Sequence, residues 1–300
     1  MHTPVLADQV AEWLRIRPDG TYIDATVGLG GHALEIVRRL TAGRLLGLDR
    51  DARALDIARE RLKAYERQVI LVHANFSRIG EVARELKLSP ADGVLADLGV
   101  SSLQLDRPER GFSFRFAGPL DMRMDADEQT TAAEIVNHWP ERDLADLLYR
   151  YGEEHDSRRI ARRIVRGRPI RDTEHLATVV AGARKQRGRQ KLHPATKTFL
   201  ALRIAVNREM EELEQFLSRT PATLAPAGRW VMLSYHSLED RLVKHAFQGL
   251  AREGAVKILT KKVIVPPAAE IHLNPRARSA KMRVAEKLAP QAEAAGNEIQ

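Results

Sequence analysis

Apolar residues in the first hundred positions alternate between two spacings. Short apolar runs typical of strands begin at Thr21, Arg44, Val69 and Gly93, and each run is followed by a segment with helical apolar spacing. Strands that alternate with short helices require crossover connections, which build a parallel sheet with helices on both faces. The pattern therefore predicts a doubly wound α/β fold.

This alternation is interrupted in the middle of the chain. From about residue 107 to residue 194 the pattern predicts only helices, and a longer helix is expected over residues 196 to 216. Strand patterns resume at Arg229, Val256 and Lys281. Because strand signals flank the helices, an insertion explains the pattern better than two domains in series. The predicted parts are an α/β domain of residues 1–106 and 195–290, an inserted all-α domain of residues 107–194, and a disordered tail of residues 291–300.

The composition excludes several classes of protein. The 300 residues include no cysteine, which excludes a disulfide framework, thiolate metal sites and a cysteine nucleophile. No apolar run approaches the ~20 residues that a membrane span requires, and the N-terminus lacks the pattern of a secretory signal. We therefore expect a cytoplasmic protein that is not inserted in a membrane, and we predict no metal site.

Positive charge is concentrated in one part of the chain. The net charge is +8, and residues 158 to 208 hold fifteen Lys and Arg against two acids. A solvated helical face is one explanation, but a surplus of this size repels itself unless a polyanion neutralises it. RNA is the favoured partner, and an anionic membrane surface is the weaker alternative. The predicted RNA contacts, in a glycine-containing stretch without acids, are Arg184, Lys185, Arg187 and Arg189.

A glycine loop, residues 28 to 32, connects the first strand to the first helix. Gly28, Gly30 and Gly31 allow a tight turn and the close approach of a ligand to the backbone. Carboxylates stand at the ends of the neighbouring strands. Asp49 ends the second strand, where it can accept both hydroxyls of a ribose, and Asp97 ends the fourth at the crevice where open α/β sheets bind ligands.

Two cofactors fit this pattern, and a tight turn without a ligand is the structural alternative. The loop with Asp49 also matches the dinucleotide fingerprint of an NAD-dependent dehydrogenase. S-adenosylmethionine is favoured because Asp24, just before the loop, could hold the ammonium of a methionine moiety but would repel a pyrophosphate. Asn75 and Phe76 after the third strand suit an adenine edge and face. The charge surplus also belongs more readily with an RNA-modifying enzyme.

The absence of cysteine also bears on the methyl acceptor. Methylation of C5 of a pyrimidine usually requires a cysteine nucleophile. Transfer to an exocyclic amine or a ribose hydroxyl requires only in-line placement of the acceptor. Residues 97 to 106 lie where amino-methyltransferases carry their acceptor motif, but they lack its usual acid-Pro-Pro-aromatic form. The residue pattern alone therefore leaves the target atom open.

Motifs spread along nearly the whole chain resemble one family. They occupy residues 2–6, 24–32, 97–102, 104–106, 111–114, 119–125, 193–196, 201–207, 235–241 and 274–281. In this combination and order the chain closely resembles the bacterial small-subunit ribosomal RNA (cytosine-N4)-methyltransferases of the RsmH/MraW type. Leu29 and Leu103 are small departures from the family pattern.

The resemblance implies methylation of the N4 amine of one cytidine in the decoding centre, within the 16S rRNA of the small ribosomal subunit. It also implies a class I (Rossmann-like) methyltransferase fold with a helical domain inserted after the fourth strand. The S-adenosylmethionine contacts carried over from the family are Gly30, Gly31, His32, Asp49, Phe76, Asp97 and Gln104. Asp24 and Gly28 complete the predicted cofactor site.

The acceptor side is predicted less sharply. Asp97 or a backbone carbonyl could accept one N–H of the flipped cytosine, and Ser101 or Ser102 could hold the base edge. The segment Tyr235-His236-Ser237 follows a strand end and is expected at the acceptor pocket. A structural alternative there is a helix start capped by Ser237, with Asp240 at the third helical position.

Other structural alternatives stay open at this stage. They are a helix cap at His32, plain core at Phe76, and a shaped turn at residues 101 to 104. Residues 119 to 125 could lock the insert to the core by ion pairs rather than contact RNA. A basic RNA-binding or ribosome-assembly protein with a vestigial cofactor fold is the non-enzymatic alternative. The oligomeric state, a homodimer included, is left open by the sequence.

Overall fold

The structure is a computed structural model that describes residues 4–183 and 193–289. The chain forms two compact units. The first comprises the residues up to Gly99 together with those from Glu212 onward, and the second comprises Val100–Glu211.

The first unit is built on a sheet that contains seven strands in the described part of the chain. The strands are β1 (Thr21–Asp24), β2 (Arg44–Asp49), β3 (Val69–His73), β4 (Ala91–Asp97), β5 (Leu224–Ser234), β6 (Val256–Ile258) and β7 (Lys281–Lys287). Their order is β3-β2-β1-β4-β5-β7-β6. Strands β1 to β5 pair in parallel, whereas β7 runs antiparallel to β5 and β6.

Helices account for most of the remaining described residues. In chain order they are α1 (Ala7–Leu14), α2 (Gly31–Val37), α3 (Ala52–Arg61), α4 (Ile79–Glu85), α5 (Ser102–Asp106), α6 (Ala132–His138), α7 (Glu141–Gly152), α8 (Ser157–Arg166), α9 (Thr173–Ala183), α10 (Thr196–Val206), α11 (Glu209–Thr223), α12 (Ser237–Arg252) and α13 (Ala268–Leu273). None of the helices in the described ranges is long and apolar enough to cross a membrane.

Both faces of the sheet are covered by apolar side chains. Tyr22 of β1 belongs to a cluster with residues of α1, α2 and α3, whereas Ile23 belongs to a second cluster with residues of α4, α11 and α12. Successive strand residues point to opposite faces, so both are buried. This explains the nearly continuous apolar runs in the sequence.

The strand order places a switch point between β1 and β4. The chain proceeds from β1 to β2 and β3 on one side, and then returns to place β4 on the other side of β1. Ligands of open α/β sheets bind outside the carboxyl ends of strands at such a point. Asp24 and Asp97 are the last residues of these two strands, so the topology places both where a ligand is expected.

The second unit is helical and has its own core. Leu144 and Leu148 of α7, Ile160 of α8, Leu176 of α9 and Leu202 of α10 are buried in a single cluster. The predicted α/β fold with an inserted helical segment is therefore confirmed.

The limits of the units differ from the predicted limits at residues 107 and 194. Leu105 of α5 and Phe199 of α10 pack in the core of the helical unit, which places both helices in that unit. The assignment of separate functions to the two parts stays a prediction.

The single helix predicted over residues 196 to 216 is wrong. The structure has α10 and α11 instead, and they are separated by Asn207 and Arg208. Arg208 has a left-handed φ of 49°, which a continuous helix does not allow. The Asn207 side chain accepts the Met124 N–H at 2.7 Å and donates to the Met122 carbonyl at 2.8 Å. Asn207, at the break between the two helices, thus anchors the loop that contains Met122 and Met124.

Candidate cofactor and acceptor site

The glycine loop leaves open space at one position only. Gly28 and Gly30 have positive φ angles of 51° and 77°, which glycine adopts without the cost that other residues carry. A Cβ at Gly28 would meet only the Thr26 carbonyl, at 3.8 Å, whereas a Cβ at Gly30 would lie 3.4 Å from Ala58. A Cβ at Gly31 would lie 3.3 Å from Pro4. Gly28 therefore offers the face that a ligand could approach, and Gly30 and Gly31 permit close packing.

Asp24 is a buried carboxyl that lacks a full set of partners. Its side chain is 1% exposed. The Oδ1 atom accepts the Thr26 N–H at 3.2 Å, while Oδ2 has no hydrogen-bond partner within residues 4–183 and 193–289. Burial raises the pKa of Asp24 to about 7, although the nearby His32 favours the charged form. A buried acceptor without a partner is unusual in a folded protein and indicates a place for a cationic or donor group.

His32 lies beside Asp24 in the first turn of α2. Its side chain is 6% exposed, and neither ring nitrogen has a hydrogen bond within the described ranges. The Nε2 atom lies 3.6 Å from Oδ2 of Asp97. Burial alone would lower the pKa of His32, but the carboxylates of Asp97 and Asp24 outweigh it and the pKa is raised. The alternative that His32 caps the helix is wrong, because the N-cap of α2 is Gly30.

Asp49 ties the end of β2 to the glycine loop. Its Oδ2 accepts the Gly28 N–H at 2.7 Å, and its Oδ1 accepts the Asp51 N–H at 2.8 Å. Burial raises the pKa of Asp49, while these two N–H groups favour the charged form. Each carboxylate oxygen has two lone pairs, so the carboxylate retains the capacity to accept ribose hydroxyls.

Asp97 is held from both sides at the end of β4. Its N–H donates to Oγ1 of Thr26 at 2.6 Å, and its Oδ1 accepts the hydroxyl of Tyr235 at 2.8 Å. The Asp97 side chain is 25% exposed, so the carboxylate remains accessible. Burial, and then Asp97, raise the pKa of Tyr235 well above its usual value. Tyr235 therefore stays protonated and acts as a hydrogen-bond donor.

The sequence placed Tyr235 only in the strand-end segment 235–237 expected at the acceptor pocket, and it did not predict the contact with Asp97. Tyr235 follows β5, and the pairing of β4 with β5 places Leu233 opposite Asp97. A Cβ added to Gly99 would lie 3.4 Å from the Tyr235 ring, so this glycine leaves space for the tyrosine. The strand-end position was a signal available in the sequence. The sequence did not show which strand lies next to β5, because that depends on the order of the strands in the sheet.

His236 caps α12, and the predicted cap at Ser237 with Asp240 is wrong by one residue. The His236 ring accepts the Glu239 N–H at 3.4 Å, and Oε2 of Glu239 accepts the N–H groups of Tyr235 and His236. An imidazole nitrogen thus replaces the hydroxyl of a usual capping box. The role of His236 toward the acceptor stays a prediction.

Phe76 is packed in the core of the first unit. Its ring lies edge-on to Phe216 with centroids 5.2 Å apart. Asn75 uses its side-chain oxygen to accept the Ser77 N–H at 3.2 Å, which begins a short helical turn. The ring contact supports the structural alternative for Phe76, and the adenine contacts expected of Asn75 and Phe76 stay predictions.

Ser101, Ser102 and Gln104 lie in the second unit, at the start of α5. The Ser101 hydroxyl accepts the Gln104 N–H at 3.3 Å, and Oε1 of Gln104 accepts the Ser101 N–H at 3.0 Å. This reciprocal pair is a capping box that shapes the turn. The contacts of Ser101, Ser102 and Gln104 with the cofactor or the methyl acceptor stay predictions.

Residues 119 to 125 form an internally bonded loop. Arg123 makes two hydrogen bonds to the carboxylate of Asp121, at 2.7 and 3.0 Å, and also donates to the Ala126 and Glu128 carbonyls. The ion pair lies within the segment, and the expected ion pairs between the insert and the core stay a prediction. The predicted RNA contacts Arg184, Lys185, Arg187 and Arg189 lie outside the described residues.

The chemistry of the first unit matches the polar groups of S-adenosylmethionine. Asp24 offers an unpaired acceptor for an ammonium group, Asp49 offers acceptors for two hydroxyls, and Gly28 leaves the backbone accessible. These acceptors and the open backbone fit the predicted cofactor.

Comparison with known proteins places the chain in a family. The model of the MraW methylase family matches residues 1–288. Ribosomal RNA small subunit methyltransferase H of Koribacter versatilis is 49% identical, with 95% of this chain and 93% of the relative covered. The protein of the same name from Cyanothece sp. is 51% identical, with 96% and 95% covered. A solved rRNA methylase from Streptococcus thermophilus is 12% identical, covers 96% of this chain and 99% of its own, and has a TM-score of 0.46. The family model and the two close relatives show that this chain belongs to the MraW methylase family.

Proposed function

We propose that this chain transfers a methyl group from S-adenosylmethionine to the N4 amine of a cytidine in 16S rRNA of the small ribosomal subunit. The observation that carries the proposal is the cluster of Asp24, His32, Asp97 and Tyr235 at the carboxyl ends of adjacent strands, beside the glycine loop. The names of the close relatives, which are small-subunit rRNA methyltransferases, support the substrate.

Several residues of the first unit would hold the cofactor. S-adenosylmethionine, when bound, supplies a methyl group on a positively charged sulfur. Asp24 would accept a hydrogen bond from the ammonium group of the methionine part of the cofactor, and Asp49 would accept hydrogen bonds from the ribose hydroxyls. The open side of Gly28 permits close approach of the ligand, since a Cβ there would meet a single atom at 3.8 Å. Phe76 and Gln104 are retained as predicted contacts.

Asp97 is the residue that we assign to the acceptor amine. The N4 lone pair of cytosine is delocalised into the ring, and an acceptor for one of its N–H groups makes the lone pair more available. A flipped base can present that amine to the carboxylate, and the 25% exposure of Asp97 leaves room for it. The amine must lose one proton as it gains the methyl group, and that proton can leave through Asp97 to water.

Tyr235 is assigned as a positioning residue. Its hydroxyl occupies Oδ1 of Asp97 at 2.8 Å, so that Oδ2 is the oxygen left for the substrate. Oδ2 is also the atom that lies 3.6 Å from Nε2 of His32. The two contacts together restrict the rotation of the carboxylate, which is the alignment that transfer requires.

The second unit is proposed to recognise the RNA. Its excess of basic residues suits a polyanion, and the counterions released on phosphate binding would favour association. We propose a cytoplasmic enzyme that acts on the small subunit without a membrane partner. A homodimer is compatible with this role.

An NAD-dependent dehydrogenase is disfavoured on physical grounds as well as by the family. The buried Asp24 would face the pyrophosphate of a dinucleotide, which its ionised carboxylate would repel. The RNA-binding protein with a vestigial cofactor fold makes a different prediction, namely that no methyl group is transferred.

The proposal is tested with labelled S-adenosylmethionine, purified small subunits and two substitutions. Wild-type protein should transfer label to the RNA, Asp97→Ala should abolish transfer, and Tyr235→Phe should lower kcat with little change in cofactor affinity. Urea unfolding and cofactor calorimetry confirm that the variants remain folded. A wild-type protein that binds small subunits but transfers no label supports the binding protein, and full activity in Asp97→Ala would refute the assigned role.

A further inference from the structure

A groove lined by arginines runs between α8 and α9 in the helical unit. It encloses about 680 Å³. Its basic lining residues are Arg159, Arg162, Arg163 and Arg166. The spacing i, i+3, i+4 and i+7 places all four on one face of α8. Gly167, Val179 and Gly182 complete much of the wall, and none of the described residues that line it is acidic.

The position of this arginine groove follows from the pattern of α8. Ile160, Ala161 and Ile164 are buried in the core of the helical unit, so the arginines are on the opposite side of the helix. Arg162, Arg163 and Arg166 are exposed. The packing of α8 in the core therefore directs the arginines away from the core and toward the groove.

The positive charge in the groove is only partly compensated. Arg162 pairs with Glu141 at 3.3 Å, and Arg159 lies 3.6 Å from Asp156, which is beyond hydrogen-bond distance. The Nε and Nη2 atoms of Arg159 are buried and have no hydrogen-bond partner in the described ranges. Neither Arg163 nor Arg166 has an acidic partner there. Within the described residues, the positive charge of the groove therefore exceeds the negative charge beside it.

Gly182 on α9 allows one arginine to lie flat against the wall. A Cβ at this position would come within 2.7 Å of Nη2 of Arg163, a distance that real contacts do not reach. The guanidinium thus packs against the backbone of α9 at Gly182, and the Arg163 side chain remains exposed. Guanidinium edges donate paired N–H groups that match the oxygens of a phosphate.

We propose that the arginine groove binds phosphates of the RNA backbone. The inference rests on the proposed function and adds a location for RNA that lies within the described residues. Four like charges on one helical face repel each other, and a phosphodiester strand removes that repulsion. A membrane surface fits less well, because a helix that binds membranes inserts its apolar face, and the apolar face of α8 is buried in the core.

The test compares two triple variants with equal charge loss. The groove variant carries Arg162→Gln, Arg163→Gln and Arg166→Gln. The matched control carries Arg142→Gln, Arg158→Gln and Arg171→Gln, which are exposed residues of the same unit that do not line the groove. Binding of each to purified small subunits is measured over a series of salt concentrations, and cofactor binding is measured by calorimetry.

The groove variant should lose three phosphate contacts, and each contact contributes a slope of ~0.7 to ~0.9 in log affinity against log salt. The slope should therefore fall in magnitude by about 2 to 3, and affinity at 0.1 M salt should fall by roughly 100-fold or more. The control should change much less, and both variants should bind S-adenosylmethionine and melt as the wild type does.

Three results would overturn the assignment. The groove variant could keep the wild-type slope, or the control could lose as much affinity as the groove variant, which would indicate diffuse attraction. Alternatively, the groove variant could lose binding to vesicles rich in phosphatidylserine while RNA binding stays unchanged. The proposed function fails separately, through a wild-type protein that transfers no methyl group, since the binding assay does not depend on transfer.

Discussion

Replacement of Asp24 by asparagine should make the protein more stable and its cofactor binding weaker. The substitution Asp24→Asn removes the ionisable group with little change of shape. Burial raises the pKa of Asp24 from 3.8 to about 7, a difference of about 3 units. At ~1.36 kcal/mol per unit, ionisation of this side chain opposes folding by roughly 4 kcal/mol at most.

The sign of the effect follows from the raised pKa. The folded protein keeps the proton of Asp24 up to about pH 7, whereas the unfolded chain loses it near pH 4. The stability contributed by the protonated form is therefore complete below pH 4 and is lost as the pH rises to 7 and beyond. The asparagine variant has no ionisable group at this position and does not lose stability in this way. The difference in the free energy of unfolding between the variant and the wild type should therefore grow from about pH 4 to about pH 7.

Cofactor binding should depend on pH in the opposite sense. A carboxylate that accepts from an ammonium must be ionised, so binding at pH 6 should release about one proton, and affinity should rise up to tenfold per unit below pH 7. In Asp24→Asn the proton release should vanish, and affinity at pH 7.5 should fall by ~1.5–3 kcal/mol, the range for a hydrogen bond to a charged group.

Two measurements check this prediction. Urea unfolding of both proteins between pH 5 and pH 8 gives the stability difference, and calorimetry in two buffers of different ionisation enthalpy gives the protons released on binding. A stability difference that does not change with pH would contradict the buried, proton-bearing Asp24. Unchanged cofactor affinity in the variant would refute its role toward the ammonium.

Two further predictions concern contacts at Asp49 and Asn207. Asp49→Ala should weaken cofactor binding by ~1–3 kcal/mol in calorimetry, because ribose hydroxyls and the Gly28 N–H would lose their acceptor; unchanged affinity would exclude the ribose contact. Asn207→Ala should lower the free energy of unfolding by ~1–3 kcal/mol in urea, because the Met124 N–H and the Met122 carbonyl would remain buried without their partner. An effect below about 0.5 kcal/mol would show that this anchor is dispensable.

The strand ends of the α/β unit could be predicted from local pattern alone. Asp49 and Asp97 are the last residues of their strands, as predicted. Such predictions succeed because a buried parallel strand leaves a continuous apolar run that stops where the chain leaves the sheet. The glycine loop could also be predicted from local pattern, since its residues are adjacent in sequence.

Contacts between distant segments could not be predicted in this way. The hydrogen bond from Tyr235 to Asp97 spans 138 positions and exists because β4 and β5 are neighbours in the sheet. The break after α10 depends on the hydrogen bond between Asn207 and Met124, 83 positions away. The spacing of apolar residues does not show that a side chain is hydrogen-bonded to a distant backbone group. The pattern therefore predicted one helix where α10 and α11 exist.

The central claim is methyl transfer to the N4 amine of a cytidine in small-subunit rRNA. Its most direct test is incubation of the protein with labelled S-adenosylmethionine and small subunits from cells that lack it, followed by digestion of the RNA and mass spectrometry of the nucleosides. We expect label in N4-methylcytidine from 16S rRNA. Label in another nucleoside, or none in RNA, would contradict the central claim.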